Sequence, residues 1–363
     1  MKKTVLHIIN NLGRGGAETM LVTVVKELSD YNNIIVTLFP KNHFKDELKC
    51  DKYYCLNLKS VLQVPYQTRR LKKIIKENNV DLVHSHLYWS TMLARIGTPK
   101  NIPLLTTIHA FITTSQDYKI RYIRFLDRLT YKLRNSVIIA VAKGALDEYF
   151  SMLKIKPYKA YALYTFADIN IFYNNNKITK EPNENIFKLI SVGALRKQKN
   201  YKYLLEAFTH LDNNKYQLDI YGGGPLRQEL EKFIKKNNLN INLMGEVKNI
   251  QTLINQYDLF VMSSIFEGFS LSVLEAMAMK MPVLLSNIKS FREQCENTAQ
   301  YFSLDDVNDF VKTLHTMAQN TNNLNLWGIS AYERVINNFT LEHHMQGLRK
   351  IYSEALNFHI NNP

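Results

Sequence analysis

Cysteine is scarce in this chain. Only Cys50, Cys55 and Cys295 occur in 363 residues, an odd number with no C-x-x-C pair. This excludes a disulfide scaffold and a zinc ribbon and suits a reducing cytosol. Long apolar runs are missing too. Nothing approaches the ~18–20 residues of a membrane span. The opening MKKTVLHIINN offers only Val5–Ile9 before Asn10, short of the roughly 7–15 apolar residues of a signal peptide. No G-x-G-x-x-G occurs, which disfavours a nicotinamide or flavin cofactor. Acidic residues are outnumbered: 32 Asp and Glu face 46 Lys and Arg, a formal charge of +14. An anionic partner follows, whether nucleic acid, a phosphorylated small molecule or a membrane surface.

What is present is a globular composition, 46% hydrophobic and 21% charged. At about 150 residues per domain the length suits two domains. The charge is uneven. Residues 1–170 carry +13 of the total and residues 171–363 carry +1. Two segments concentrate it, Arg69–Lys76 and Lys119–Arg134. In the second, Tyr122, Ile123, Phe125, Leu126, Leu129 and Leu133 interleave with Arg121, Arg124, Arg128, Lys132 and Arg134 at helical spacing. Such a helix either lies on a membrane interface or faces the core with its other side solvated.

Short apolar runs alternate with helical patterns. Val5–Ile9, Ile34–Phe39, Val80–His84, Leu104–Ile108 and Val137–Val141 read as strands. Ala17–Leu28, Tyr66–Glu77, Ser90–Ile96 and Lys119–Arg134 read as helices between them. The alternation resumes with strands Phe187–Val192, Tyr216–Tyr221, Ile241–Met244, Leu259–Met262 and Val283–Ser286. Helices Tyr201–Leu211, Leu226–Lys236 and Leu271–Lys280 fill the gaps. The fold class is therefore α/β, two doubly wound parallel sheets in tandem, joined near 174–185 by a polar stretch containing Pro182. Ligands of such sheets bind beyond the carboxyl ends of the strands, so two facing sheets would hold a cleft.

Residues just after strands carry the chemistry. Gly193–Asn200 brings Arg196, Lys197 and Lys199 to a helix start, which suits a diphosphate. Gly222-Gly223-Gly224-Pro225 permits a tight turn or a close backbone approach. Gly13-Arg14-Gly15-Gly16-Ala17-Glu18 also opens a helix after a strand. In Ser263–Val283, Glu267 lies in a loop and Glu275 inside the next helix, where the helix N-terminus points its N–H groups. Two acids beside phosphate-binding cations suit the hydroxyls of a sugar and a ribose. His84 and His86 end a strand and either face a cleft or serve the core. His109 also stands at a strand end, whereas His7, His43, His210, His343 and His344 have no motif context.

Glu267 and Glu275 with their surroundings resemble the E-x7-E element of retaining glycosyltransferases of two-Rossmann (GT-B) architecture, and of glycosyltransferase family 4 above all. The resemblance spans nearly the whole chain, through Gly15–Glu18, His84-Ser85-His86, Thr107-Ile108-His109, Asp168-Ile169 with Phe172, Val192–Asn200, Gly222–Pro225, Met244-Gly245, Tyr257-Asp258 and Pro282-Val283. It implies that Arg196 and Lys199 hold the donor diphosphate and that Glu275 binds the ribose. Glu267 would contact the transferred sugar, with backbone N–H groups of Phe269, Ser270 and Leu271 nearby. Gly222, Gly223, Val247 and Lys248 would border the base. Gly15 and Gly16 would approach the phosphates, and His109 would reach the donor sugar. Domains at 1–170 and 171–340 follow, with a last helix at 341–363 packing back on the first.

The chain departs from the family pattern at Ala142, Ala194, Ser270 and Met281, which reads as variation in donor fit. No D-x-D occurs, so neither a metal nor another cofactor is implied. Without an obvious carboxylate below the sugar ring, same-face attack is favoured over double displacement. The function implied is transfer from a nucleotide-sugar, UDP-linked first and GDP-mannose second. The acceptor implied is a lipid-linked or other saccharide of bacterial surface polysaccharide synthesis. Arg121, Arg124, Phe125, Arg128 and Lys132 are the membrane or acceptor candidates. The location implied is cytoplasmic, on the inner face of the cytoplasmic membrane. The competing readings are a nucleotide-sugar epimerase and a non-catalytic protein bound to membrane or nucleic acid, although no nucleic-acid motif is present.

Overall fold

Aliphatic runs without charge can be covered on both faces, and the computed structural model uses them so. It describes residues 2–13, 15–112, 117–169, 186–247 and 250–361. The chain divides into one unit of Met1–Thr165 with Glu342–Pro363 and another of Phe166–Leu341. The boundary falls ahead of the expected 170, and the polar joint at 174–185 lies outside the described residues.

The first unit holds strands β1 (Thr4–Ile9), β2 (Asn32–Thr37), β3 (Lys52–Cys55), β4 (Leu82–His86), β5 (Leu104–Ile108), β6 (Val137–Ala140) and β7 (Lys159–Ala162). They form one sheet in the order β3-β2-β1-β4-β5-β6-β7, with parallel pairing throughout. Helices α1 (Gly16–Glu27), α2 (Val64–Glu77), α3 (Tyr88–Gly97), α4 (Arg121–Leu133) and α5 (Lys143–Leu153) connect them. Every residue of β1 is buried. Leu6 and Ile8 pack with Leu71, Ile74 and Ile75 of α2. Ile9 packs with Leu21, Val22 and Val25 of α1. Alternate side chains thus serve opposite faces, as a doubly wound sheet requires. The final helix, Leu341–Asn361, belongs almost wholly to this unit.

The second unit repeats the plan. Strands β8 (Phe187–Val192), β9 (Tyr216–Tyr221), β10 (Ile241–Gly245), β11 (Leu259–Met262), β12 (Val283–Ser286) and β13 (Gln300–Phe302) run in the order β10-β9-β8-β11-β12-β13. Its helices are α6 (Tyr201–Phe208), α7 (Arg227–Lys236), α8 (Leu271–Ala278), α9 (Lys289–Cys295), α10 (Val307–Gln319) and α11 (Thr321–Asn338). The helix Leu341–Asn361 is α12. Each sheet reverses strand order once, between β1 and β4 and between β8 and β11.

Corrections to the expected elements are local. β3, β7 and β13 are additional to the expected strands. All three are short edge strands, and β3 and β7 hold no fully buried residue. β4 starts and ends two residues later than expected, which puts both His84 and His86 inside the strand. α4 starts at Arg121 because a 3-10 turn occupies Asp117–Lys119.

α4 is fastened by a buried ion pair. Arg95 of α3 bonds Asp127 of α4, with both side chains essentially unexposed. Tyr149 Oη lies 2.9 Å from Arg95 Nη2 and donates to Asp127 Oδ1 at 3.0 Å. Tyr118 donates to Asp127 as well, and Arg95 Nη1 reaches Thr130 Oγ1 at 3.2 Å. Removing one member strands the other charge in the core. Asp127→Ala is expected to cost about 3–5 kcal/mol in urea denaturation. Arg95→Met with Asp127→Leu should cost less than either single change. A double variant no better than the worse single one would show that the pair is not what holds α4.

Candidate active site

In the second unit the chain leaves β8 toward β9 and leaves β11 toward β12. This opens a crevice at the carboxyl ends where the strand order reverses. Lys199 comes from the loop after β8 and Glu267 from the loop after β11. They meet there, with Lys199 Nζ 2.6 Å from Glu267 Oε1. Both are largely buried, at 15% and 9% side-chain exposure. Ser264 Oγ donates to the same Oε1 at 2.7 Å, and Gln198 Nε2 reaches Oε2 at 3.4 Å. Ser263 Oγ bonds the carbonyls of Lys199 and Asn200, both at 3.0 Å, and Ile265 N donates to Gln198 O at 2.9 Å. The two loops are thereby tied together around the ion pair.

A third loop joins them. Gly193 N bonds Tyr221 O at 2.9 Å, Leu195 N bonds Gly223 O at 2.9 Å, and Leu226 N bonds Leu195 O at 3.1 Å. Gly222 has φ +146°, and a Cβ there would overlap the Gly193 carbonyl. The glycine run therefore answers first to the contact between the loops after β8 and β9. Arg196 stands exposed on the same loop as Lys199, and its guanidinium has no partner among the described residues. The three expected site cations so divide into one held by Glu267 and two, Arg196 and Lys197, facing solvent. Val247 lies just beyond β10 and is exposed, while Lys248 falls outside the described residues.

α8 begins at Leu271, beside this crevice. Its N-cap is Ser270, whose backbone N–H donates to Gln294 Oε1 at 3.0 Å while Gln294 Nε2 returns a bond to Ser270 O at 2.9 Å. The expectation that the Ser270 N–H serves a ligand is thus corrected: Gln294 occupies it. Phe269 is buried edge-on against Phe339, with centroids 5.1 Å apart. Leu271 opens the first turn, where helical N–H groups lack intrahelical acceptors. Glu275 stands one turn on, half-buried, without a partner among the described residues. Burial pushes its carboxyl up to about 7. Gly328 of α11 presses directly against the Lys280 carbonyl, where any side chain would collide, and this closes the far end of α8.

The first unit gathers its own polar group at the carboxyl ends of β1, β4 and β5. A cavity of about 310 Å³ there is lined by Asn10, Tyr88, Thr91, His109, Ala110 and Tyr118 among others. His109 Nε2 contacts His86 Nδ1 at 3.2 Å, and His86 Nε2 contacts His7 Nδ1 at 3.4 Å. His84 is enclosed between Tyr352 Oη and Thr107 Oγ1, both at 2.7 Å. His344 Nδ1 meets Tyr164 O at 2.8 Å. Burial holds His7 and His109 down to about 3 and His344 to about 4, so all are neutral. His84 and His86 are thereby resolved as core residues, and His7 and His344, which have no motif, join them. Nitrogens of His7, His84 and His86 lie within 4.8 Å of one another, a spacing that suits a metal. Yet both nitrogens of His84 and of His86 already have partners. Strand register is the signal that could reveal this cluster, because His7 lies directly beside His84. Gly15 is the N-cap of α1 and Gly16 its first residue, at the end of β1, while Arg14 lies outside the described residues.

α4, the second basic segment, has one face in the core and the other exposed. Its inward face is Ile123, Asp127, Thr130 and Tyr131. Its outward face is apolar as well as basic: Tyr122, Phe125, Leu129 and Leu133 are exposed, Phe125 by 58% and Leu133 by 69%. Arg121 and Lys132 are exposed and Arg124 and Arg128 half-buried beside that stripe. α2 differs. It buries Leu71, Ile74 and Ile75 and turns Arg69, Lys72, Lys73 and Lys76 to solvent.

Comparison with known proteins agrees with this geometry. Residues 14–170 match the model of Glycosyltransferase Family 4, and residues 173–334 match that of Glycosyl transferases group 1. A Campylobacter jejuni N-acetylgalactosamine-N,N'-diacetylbacillosaminyl-diphospho-undecaprenol 4-alpha-N-acetylgalactosaminyltransferase is 25% identical over 335 residues, covering 86% of this chain and 89% of its own. The capsular polysaccharide biosynthesis glycosyltransferase CapH of Staphylococcus aureus is 26% identical over 320 residues, covering 82% and 84%. The crystal structure of Anabaena Alr3699/HepE in complex with UDP superposes with a TM-score of 0.83 at 16% identity, covering 97% of this chain and all of that one. The doubled Rossmann-like plan is therefore the GT-B fold, and the chain belongs to glycosyltransferase family 4, with a second half of the group 1 glycosyl transferase type.

Proposed function

We propose that this glycosyltransferase retains anomeric configuration and moves a sugar from a UDP-sugar to a lipid-linked saccharide in surface polysaccharide synthesis. The observation that carries this reading is the Lys199–Glu267 pair at the strand-order reversal, with an unpartnered Arg196 beside it. Breaking the bond from the anomeric carbon to the diphosphate puts negative charge on the departing phosphate. Arg196 and Lys199 stand on the loop where they would neutralise it, and preorganised charge of this kind supplies most of the rate enhancement in many enzymes. Glu267, already oriented by Ser264 and Gln198, accepts hydrogen bonds from hydroxyls of the transferred sugar. Glu275 accepts from the ribose, whose hydroxyls replace the partners it lacks.

With cations supplied by the protein, the reading needs no metal. The departing phosphate takes the proton of the acceptor hydroxyl as that hydroxyl attacks the same face. His109, held neutral by burial and buttressed by His86, lines the first unit's own cavity, where it could meet a sugar hydroxyl. The lipid-linked acceptor follows from relatives named for diphospho-undecaprenol substrates and from the exposed stripe of α4. Among the described residues no helix is long and apolar enough to cross a membrane. The proposed association is therefore peripheral, through α4 on the anionic inner face of the cytoplasmic membrane.

Transfer of labelled sugar to a diphospho-undecaprenol-linked acceptor, with release of UDP, tests the activity and separates it from epimerisation. Lys199→Ala and Arg196→Ala are each expected to lower kcat by roughly 10²–10³-fold with the fold intact. Wild-type turnover in both would reject the phosphate assignment.

Glu275 makes donor binding depend on pH. Its carboxyl titrates at about 7 in the free protein, and ribose hydroxyls bind the ionised form, so binding releases a proton. UDP affinity should weaken toward about tenfold per unit as pH falls below 7 and level off above it. Calorimetry from pH 5.5 to 8.5 reads this, and an equal slope in Glu275→Gln would assign the effect elsewhere. For the membrane, the full chain should pellet with phosphatidylglycerol vesicles at low salt. Phe125→Ser with Leu129→Ser should abolish pelleting without loss of folding, and wild-type pelleting by that variant would remove α4 as the contact.

A further inference from the structure

The first unit carries a second concave feature, far along the sheet from the histidines. A groove of about 340 Å³ runs between α2, α3 and α4, lined by Lys72, Ile96, Lys100, Leu133 and Arg134 among others. Arg95 also lines it, but its charge is spent on Asp127. Among the described residues no carboxylate lines the groove. Lys72 and Lys100 are exposed and have no ion-pair partner among the described residues. Arg134 is half-buried. Its Nη2 donates to the carbonyls of Pro99 at 3.3 Å and Ile102 at 2.5 Å, which fixes the guanidinium in place. Its Nε is buried with no partner. A second cavity of about 270 Å³ adjoins, sharing Lys100, Leu133 and Arg134. The one carboxylate there, Glu354, is taken up by Lys159 at 2.8 Å and by Tyr161.

Three cations with no carboxylate partner around one concavity ask for an anion with several acceptor oxygens. The walls say which anion. Ile96 and Leu133 are exposed apolar side chains at the mouth, and Leu133 is the last residue of the α4 stripe. A free phosphate would leave that apolar rim in water, whereas a phosphodiester attached to acyl chains would cover it. We propose that this groove is a seat for the head group of an anionic phospholipid, with the phosphodiester among Lys72, Lys100 and Arg134 and the glycerol backbone against Ile96 and Leu133. The lipid source rests on the membrane reading above, but the phosphate chemistry stands on the groove alone. Where the stripe of α4 supplies unspecific adsorption, the groove supplies a site that saturates.

The test uses the full chain and a soluble lipid, so that the seat is read without a membrane. Dihexanoylphosphatidylglycerol below its micelle concentration, titrated by calorimetry, should bind saturably with one site. Lys72→Ala with Lys100→Ala should weaken it by about tenfold or more, since both substitutions remove a charge-assisted contact at a solvent-screened site. Lys45→Ala with Lys49→Ala removes the same charge from exposed positions elsewhere on this unit and should leave the affinity unchanged. Equal loss in the two pairs, or inorganic phosphate binding as tightly as the lipid, overturns the seat. Vesicle pelleting keeps the two readings apart. Pelleting by wild type without soluble-lipid binding removes the seat and keeps the membrane contact. Soluble-lipid binding without pelleting keeps the seat and removes the membrane contact.

Discussion

One buried ion pair organises the second unit. A carboxylate as enclosed as Glu267 needs a counter-charge, because an unpaired one would cost several kcal/mol or give up its charge. Lys199 provides it across the point where the sheet reverses direction, so the loops after β8 and β11 cannot drift apart without exposing both charges. The serines and Gln198 around the pair fill remaining hydrogen-bonding positions, and Gly222 lets the loop after β9 close on Gly193. On the proposed function, a donor diphosphate would meet a lysine already largely desolvated and held by Glu267. Little reorganisation then remains for the moment of reaction.

The first unit spends its buried polar residues differently. Arg95 and Asp127 keep their charges and fasten α4 to α3, which frees the opposite face of α4 to be apolar and exposed. The histidines of β1 and β4, and His109 just beyond β5, give up their charges. An imidazole held neutral down to about 3 in the fold but titrating near 6.5 in the unfolded chain favours the fold fully only above about pH 6.5. Its contribution drains away as pH falls toward 3. Two buried polar groupings in one unit thus have opposite electrostatic solutions, one ionic and one neutral.

Period and order in the sequence are enough for the doubly wound plan, since continuous aliphatic runs alternating with amphipathic helices admit few other arrangements. Edge strands escape such a reading because β3 and β7 are half exposed and lack the aliphatic run that marks a central strand. In the candidate site, the positions of Lys199, Glu267 and Arg196 are legible from their places after strands, and that of Glu275 from its place in the helix that follows. Gln294 is not, because its claim on the Ser270 N–H depends on how α9 packs on the start of α8. The histidine cluster lies between these cases. Each residue alone looks like an isolated core histidine, and only the pairing of β1 with β4 makes them neighbours. For α4 the pattern cannot say which side faces inward, and the burial of Asp127 rather than of Phe125 decides it.

The placement of α12 bears on how the protein is made. Tyr352 completes the hydrogen bonding of His84 deep in the first sheet, and Arg349 reaches back to Asp30 at 3.1 Å. On the ribosome the strands of that sheet emerge first, yet the helix that covers this face emerges only after the entire second unit. Until then a histidine-lined patch of the sheet stays uncovered, and its closure bridges a loop as long as a whole domain. Loop-closure entropy grows only slowly with length, so the cost in free energy is modest. The cost falls on time: the first unit is born early and finished last, with an unfinished surface on which nascent-chain chaperones can act.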